Sequence, residues 1–152
     1  MTAIISEQRP QLEVRYRLRE RRIATGEEAG YFDAVPPFPV VAIERSFVAE
    51  DEAIAFEWAL LNAEILPSTF DPSEISGSIF AVLEPLGLVP DQAISSVHAV
   101  YDEDLAWAEL KPAQPLYLCL TQQSYKVDGR VIAWSTTYFT EGNFEFRLVR
   151  LR

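Results

Sequence analysis

The sequence contains one cysteine and one histidine among its 152 residues. A lone cysteine cannot form a disulfide within the chain, and because Cys119 lies in an apolar run we expect a buried, unreactive thiol. The lone histidine, His98, has no second histidine or cysteine beside it, so neither a metal-ligand pattern nor a Ser-His-Asp arrangement can be argued. We therefore expect neither a metal nor another cofactor.

Long apolar runs and an excess of positive charge are also missing. No run approaches the roughly 18 apolar residues that a membrane-spanning helix needs, and residues 1–10 lack the apolar core of a signal peptide. The 13 basic residues are outnumbered by 23 acidic ones, and the net charge of -10 disfavours binding to nucleic acid or anionic membranes. We expect one cytoplasmic domain over residues 1–152, with no membrane partner.

The sequence does contain enough apolar material for one core, since 49% of the residues are hydrophobic and 12% are aromatic. In residues 14–19, arginines alternate with apolar residues, which predicts a strand with one apolar and one basic face. Arginines on such a strand either protect a sheet edge from pairing or form a patch for an acidic partner surface. The edge strand is the favoured interpretation.

Turn and cap signals divide the rest of the chain into short elements. Prolines end two predicted helices, Gly87 ends a third, and Asp128-Gly129 is the strongest hairpin signal. Ser76 is expected to cap the middle helix. The predicted helices are 27–35, 76–86 and 102–110, and the further strands are 40–48, 54–61, 94–101, 115–125, 131–139 and 144–151.

The two halves of this pattern resemble each other. Each runs strand, short helix, proline break, strand, turn, strand, and the turn regions align with an offset of 78 positions. The aligned pairs are Ser46-Phe47 with Ser124-Tyr125, and Ile54-Ala55-Phe56 with Ile132-Ala133-Trp134. We predict an α+β fold in which an antiparallel sheet carries short helices on one face and has pseudo-twofold symmetry. A ligand in such a fold commonly lies in a cleft between the halves.

Three stretches, residues 43–54, 78–84 with Gly87, and 125–132, carry a resemblance to a known family. They resemble the arginine strand, the middle helix and the second hairpin of the UTRA domain, the effector-binding part of GntR-type (HutC subfamily) transcription regulators. The resemblance spans roughly residues 12–150. It implies a chorismate lyase-like fold, a small-molecule effector and a homodimer. It also implies that DNA would be bound only through an N-terminal winged-helix domain, which this sequence does not contain.

The resemblance also assigns candidate ligand-binding residues. Arg45 and Glu57 match effector-contacting positions, and because they lie symmetrically about Asp51 they should face each other across a hairpin. They form either a cross-strand ion pair, a ligand contact, or both. Ser76 and Ser78 begin the middle helix, where free N–H groups can bind an anion or simply be capped.

Aromatic residues complete the candidate set. Most of them should belong to the core, but Phe47, Phe139 and Trp134 are included as ligand-binding candidates near the family's cleft. Phe47 stands where family members have a second arginine, and Ala133 where sugar-phosphate sensors have a glutamate. An organic acid or aromatic metabolite is therefore favoured over a sugar phosphate.

Three functions remain open at this point. The favoured one is a small-molecule sensor that has lost or is separated from its DNA-binding half. The second is a chorismate lyase-like enzyme that releases pyruvate, with Arg45 and Glu57 in the active site. The third is a dimerisation module that binds no small molecule. The acidic composition disfavours the enzyme, which needs a positive pocket for two carboxylates.

Overall fold

The computed structural model describes residues 11–147 and 149–151, which form one six-stranded antiparallel sheet in the order β1-β2-β3-β6-β5-β4. The α+β class and the antiparallel sheet expected from the sequence are thus confirmed. The strands are β1 Glu13–Ile23, β2 Pro39–Ala49, β3 Glu52–Asn62, β4 Gln92–Tyr101, β5 Leu116–Tyr125 and β6 Val131–Thr140. None of the helices in the described part of the chain is long and apolar enough to cross a membrane.

The duplication inferred from the sequence is visible in the topology. Each half contributes three strands, and β3 pairs with β6 at the centre of the sheet. Ile54 and Ile132 occupy matching bulges, because each is the extra residue of its hairpin and each is buried. The uniform offset of 78 is wrong for β2, however. Phe47 precedes the first bulge as Ser124 precedes the second, so β2 and β5 correspond with an offset of 77.

The helices are much shorter than predicted. They are α1 Gly26–Gly30 and α2 Ile79–Leu83, with 3-10 turns at Pro72–Glu74, Glu84–Leu86 and Ala108–Leu110. Of the helix predicted over 102–110, only the 3-10 turn at its end forms, and the Asp102 carboxylate accepts a hydrogen bond from the Asp104 N–H in a turn before it. Ser76 lies outside α2, so the predicted cap is also wrong.

The strand predicted over 144–151 does not form among the described residues of that segment. The strand that precedes it, β6, is already paired on both sides, with β3 and with β5. Gly142 turns the chain with a φ of 80°, and the Phe144 ring then stacks on Phe139 at 4.4 Å. Phe144 therefore packs back on the sheet, while the other described residues of the segment are exposed and lie outside the ladder.

The short helical segments cover both faces of the sheet, not one face as predicted. The segment that links the halves, residues 63–91, packs Leu66, Ile75 and Leu83 against Val41 and Ile43, and we call this side the connector face. On the other side, residues 24–38 of the first half and 102–115 of the second half each cover part of the sheet. A depression lies between these two coverings, and we call this side the groove face.

The arginine-rich strand β1 is an edge strand, as expected, but its arginines do not share one face. A register shift between Tyr16 and Leu18 changes the alternation. Arg19 donates to the Ile75 carbonyl at 2.6 Å, while Arg22 pairs with Glu28 of α1 at 2.7 Å. The arginines therefore hold the coverings of both faces instead of forming one basic patch.

Candidate functional site

Arg45 and Glu57 face each other on β2 and β3, as the symmetry about Asp51 predicted. The Arg45 Nε and Nη2 atoms lie 2.8 and 2.7 Å from Glu57 Oε1, and both side chains are only 2% exposed. Thr137 Oγ1 donates to Glu57 Oε2 at 3.3 Å. Two buried charges lose their hydration, so the pair persists only because it is tightly hydrogen-bonded.

The third contact of the Arg45 guanidinium reaches residues 63–91, the segment that links the halves, which we call the connector. Arg45 Nη1 donates to the Gly77 carbonyl at 2.6 Å, and this bond joins the sheet to the loop just before α2. Gly77 has a φ of 65°, a conformation that a residue with a side chain rarely adopts. The loop is thus shaped to bring a backbone carbonyl onto a buried cation.

A small cavity of about 40 Å³ adjoins the pair and has room for about one or two water molecules. Polar side chains of the second half complete its wall. Gln122 faces Ser135 on β5 and β6 as Arg45 faces Glu57 on β2 and β3. The cavity therefore lies where the two halves meet on the connector face, with a charged pair from one half and a neutral pair from the other.

The serine candidates separate in the structure. Ser78 lines the cavity, and its side chain makes no capping hydrogen bond to α2. Ser76 is exposed and does not line the cavity. Only Ser78 is therefore placed where it could contact a molecule bound beside Arg45.

The aromatic candidates are divided between the two faces. Phe47 and Phe139 are fully buried in one core cluster on the connector face, and the Arg45 Cζ atom lies 5.0 Å from the centroid of the Phe47 ring. Phe47 therefore packs against the Arg45 guanidinium, and both rings belong to the core and not to the cavity lining. Trp134 borders the cavity, but its ring stacks on Tyr31 on the groove face, with centroids 4.2 Å apart.

Sequence reasoning missed Gln122, Ser135 and the Gly77 carbonyl. The duplication could have indicated the first two, because the correct offset of 77 maps Arg45 onto Gln122. No sequence signal identifies a carbonyl that reaches Arg45 from 32 residues away.

Cys119 and His98 lie away from the cavity. Cys119 is buried as expected, with its Sγ atom 3.4 Å from Thr136 Oγ1, and His98 is exposed on the edge strand β4. Within residues 11–147 and 149–151, no three His, Cys, Asp or Glu side chains form a group that could hold a metal ion.

The fold and sequence are similar to known regulators. The family model for the UTRA domain matches residues 7–145. The effector domain of PhnF from Mycobacterium smegmatis is 18% identical, with a TM-score of 0.81 over 99% of this chain and 94% of that chain. A GntR-family transcriptional regulator from Enterococcus faecalis V583 is 23% identical, with a TM-score of 0.78 over 91% of this chain and 100% of that chain. No curated protein sequence matches the chain.

Proposed function

The chain belongs to the UTRA domain family, and on that premise we propose that it is a regulatory domain that binds a small organic effector beside Arg45 and Glu57. The observation that supports this site is the hydrogen bond from the buried Arg45 guanidinium to the Gly77 carbonyl. The similar proteins from Enterococcus faecalis and Mycobacterium smegmatis are a transcriptional regulator and an effector domain. By analogy, effector binding here would control DNA binding by a separate domain.

The proposed binding step is an exchange of acceptors at Arg45. The Gly77 carbonyl is a neutral acceptor, whereas a carboxylate forms a charge-assisted and roughly twice as strong hydrogen bond with a guanidinium. An effector carboxylate would take the place of the carbonyl, and the Gly77–Ser78 loop would move outward. Because the cavity of about 40 Å³ is too small for a metabolite, binding requires this opening and thereby couples the ligand to the connector.

The lining residues favour an organic acid or an aromatic metabolite over a sugar phosphate. Among the described residues that line the cavity, Arg45 is the only basic one. By the family resemblance, Ala133 of the lining stands where sugar-phosphate sensors have a glutamate, and Phe47, in the core beside Arg45, stands where family members have a second arginine. One guanidinium suits one carboxylate, with the remaining surface of the ligand packed against Phe80 and the connector.

Thermal shift measurements test this function directly. A library of small organic acids, aromatic metabolites and sugars should contain a compound that raises the Tm in a concentration-dependent manner. The double variant R45M/E57L replaces the buried pair by apolar side chains and should fold, yet it should lose the shift. Lys111→Met, which changes one charge outside the cavity lining, is the control and should keep it. A library with no stabilising compound, or a shift retained by R45M/E57L, would contradict the proposed site.

We propose binding and not catalysis at this cavity. Lyase chemistry on chorismate needs positive partners for two carboxylates, and the single arginine there is already paired with Glu57. Incubation with chorismate should therefore release neither pyruvate nor 4-hydroxybenzoate. Formation of either product at a rate abolished by R45M/E57L would establish the enzyme instead.

The proposed regulator is a homodimer joined through β4. This edge strand contains no charged residue among its ten, and all of its residues except Val100 are exposed. An unprotected edge exposes a row of backbone donors and acceptors that can pair with another strand. Two identical strands can pair antiparallel about a two-fold axis, which would extend the sheet across the dimer.

A further inference from the structure

The groove face carries a second and larger concavity. It has a volume of about 660 Å³, within the range of small-molecule sites, and it lies between the covering segments of the two halves. Four half-buried aromatic side chains line it, namely Tyr31, Trp58, Trp134 and Tyr138. Of these four, only Trp134 also borders the cavity of Arg45.

The aromatic rings are held in fixed orientations. Tyr31 stacks on Trp134 with an interplanar angle of 9°, and Trp58 meets Tyr138 edge-on with centroids 5.5 Å apart. Trp58 also contacts Trp107, with ring centroids 5.6 Å apart. The Nε1–H group of Trp107 is buried and has no hydrogen-bond acceptor among the described residues. Aromatic rings that are already packed in one orientation can bind flat or cationic groups without the entropy cost of ordering side chains on binding. We call these four rings the aromatic floor of the groove.

The charged residues of the groove leave a negative surplus. Arg22 is paired with Glu28 at 2.7 Å, and Arg17 lies 3.8 Å from Glu44. The two remaining carboxylates, Glu27 and Asp104, form no ion pair within the described residues. Glu27 accepts a hydrogen bond from the Tyr31 hydroxyl at 2.9 Å. Burial and this contact raise the pKa of Tyr31 to about 12, so the ring stays neutral.

The two surplus carboxylates come from different halves. Glu27 lies in α1, whereas Asp104 lies in the segment of the second half that covers the same face. The floor between them includes Trp58, which pairs with Thr136 on the neighbouring strand β6. These two residues are equivalent under the duplication, since the offset of 78 relates β3 to β6, so the pseudo-twofold axis passes between them. The groove thus lies over the pseudo-twofold axis, with an aromatic floor and one unpaired carboxylate from each half.

We propose that this groove is a second ligand site, and that it takes an organic cation with an aromatic or aliphatic body. A quaternary ammonium or protonated amine is attracted to the faces of tryptophan and tyrosine rings and to nearby carboxylates. The site differs in charge from the cavity of Arg45 and lies on the other face of the sheet. It goes beyond the proposed effector function and does not depend on it.

Tryptophan fluorescence provides a direct test on the whole chain. Trp58 and Trp134 line the groove and Trp107 contacts Trp58, so all three tryptophans of the sequence report on this face. Benzyltrimethylammonium should change the emission saturably, while benzoate, a matched anion, should not. The double variant E27Q/D104N keeps the size of both side chains and should weaken binding about tenfold or more.

Two controls separate the groove from its surroundings. Glu103→Gln removes a carboxylate next to Asp104 that lies outside the groove lining, and it should bind the cation as the parent does. R45M/E57L should also bind it normally, since the connector-face cavity is not involved. The proposal is overturned if benzyltrimethylammonium gives no saturable change, if benzoate binds equally well, or if E103Q loses as much affinity as E27Q/D104N.

Discussion

The two halves of the molecule share one backbone plan and differ in the charges that it carries. In the first half, the central hairpin holds the buried pair Arg45 and Glu57, whereas the matching positions of the second half are the neutral residues Gln122 and Ser135. Matching bulges at Ile54 and Ile132 show that the geometry is the same. The duplicated topology therefore creates two equivalent pairs of facing positions. The first pair carries a buried ion pair, and the second carries two neutral side chains.

The outer strands show the same contrast. Arg19 of β1 is opposite Ile43, and Val97 of β4 occupies the matching place opposite Leu120. The arginines of β1 attach the coverings of both faces, while β4 has no charged residue and is exposed along almost its whole length. One edge is thus used within the chain, and the other is the edge through which we propose that two chains pair.

The largest effect is expected from breaking the charged pair of the first half. Arg45→Met should lower the free energy of unfolding by about 3–5 kcal/mol, because it leaves the Glu57 carboxylate buried without its partner. Gln122→Met, at the matching position, should cost less than about 1 kcal/mol, since this side chain is only half-buried. Urea denaturation of both variants measures the difference.

The double variant R45M/E57L tests whether the loss in Arg45→Met comes from the isolated Glu57 charge. Its stability should return to within about 1 kcal/mol of the parent, because no isolated charge remains. Equal losses for Arg45→Met and Gln122→Met would show that the two halves do not differ in the way described.

The next effect concerns the uncharged edge. Val97→Lys places a lysine near the middle of β4, and two such lysines would meet close to the two-fold axis of the proposed dimer. We expect the dimer dissociation constant to rise roughly tenfold or more, which corresponds to about 1.4 kcal/mol. Sedimentation equilibrium measures it, and Val127→Lys, the same change in an exposed turn, is the control. A parent chain that remains monomeric at all concentrations would refute pairing through β4.

A smaller effect is expected on the charged edge. Arg19→Ala removes the hydrogen bond to the Ile75 carbonyl and the contact of the guanidinium with the Tyr16 ring at 4.3 Å. The expected loss is about 1–2 kcal/mol in the free energy of unfolding. Arg15→Ala removes only solvent-exposed pairs and should have little effect by comparison. Hydrogen exchange should show faster opening of residues 72–83 in Arg19→Ala alone, and equal protection in both variants would argue against the anchoring role.

The smallest effect is a pH dependence in the covering of the first half. The hydrogen bonds from Arg22, opposed in part by burial, hold the pKa of Glu28 below its usual value. A carboxylate with a lowered pKa in the folded state stabilises the protein above its unfolded pKa of roughly 4.3, and this contribution is lost as the pH falls through the folded value. Glu28→Gln should therefore cost about 0.3–1 kcal/mol at pH 7 and almost nothing near pH 2. Denaturation across this range tests it, and a pH-independent difference would contradict the assignment to Glu28.

Much of the sheet was predictable because its signals are local. Alternating residues predicted β1, the turn at Asp51 predicted the register of Arg45 and Glu57, and Asp128-Gly129 predicted the second hairpin. The helices were overestimated since short capped segments, such as residues 102–110, can satisfy their backbone groups through side chains as well as through a helix.

The site was only partly predictable from the same signals. The candidates Arg45, Glu57 and Ser78 do meet at one cavity, whereas the Trp134 ring packs on the opposite face. A slip of one position between β2 and β5 was enough to hide Gln122 as the counterpart of Arg45, because a shift of one residue exchanges the two faces of a strand.

By itself, the sequence determined the family, the six strands of the sheet, the duplicated plan and the pairing of Arg45 with Glu57, because these depend on periodicity and on neighbours within one hairpin. Only the tertiary structure decided that the Gly77 carbonyl reaches Arg45 and that Tyr31 and Trp134 line a separate groove on the other face of the sheet. These contacts join residues that are far apart in the chain. They depend on which covering segment crosses which face of the sheet, and no local pattern encodes that choice.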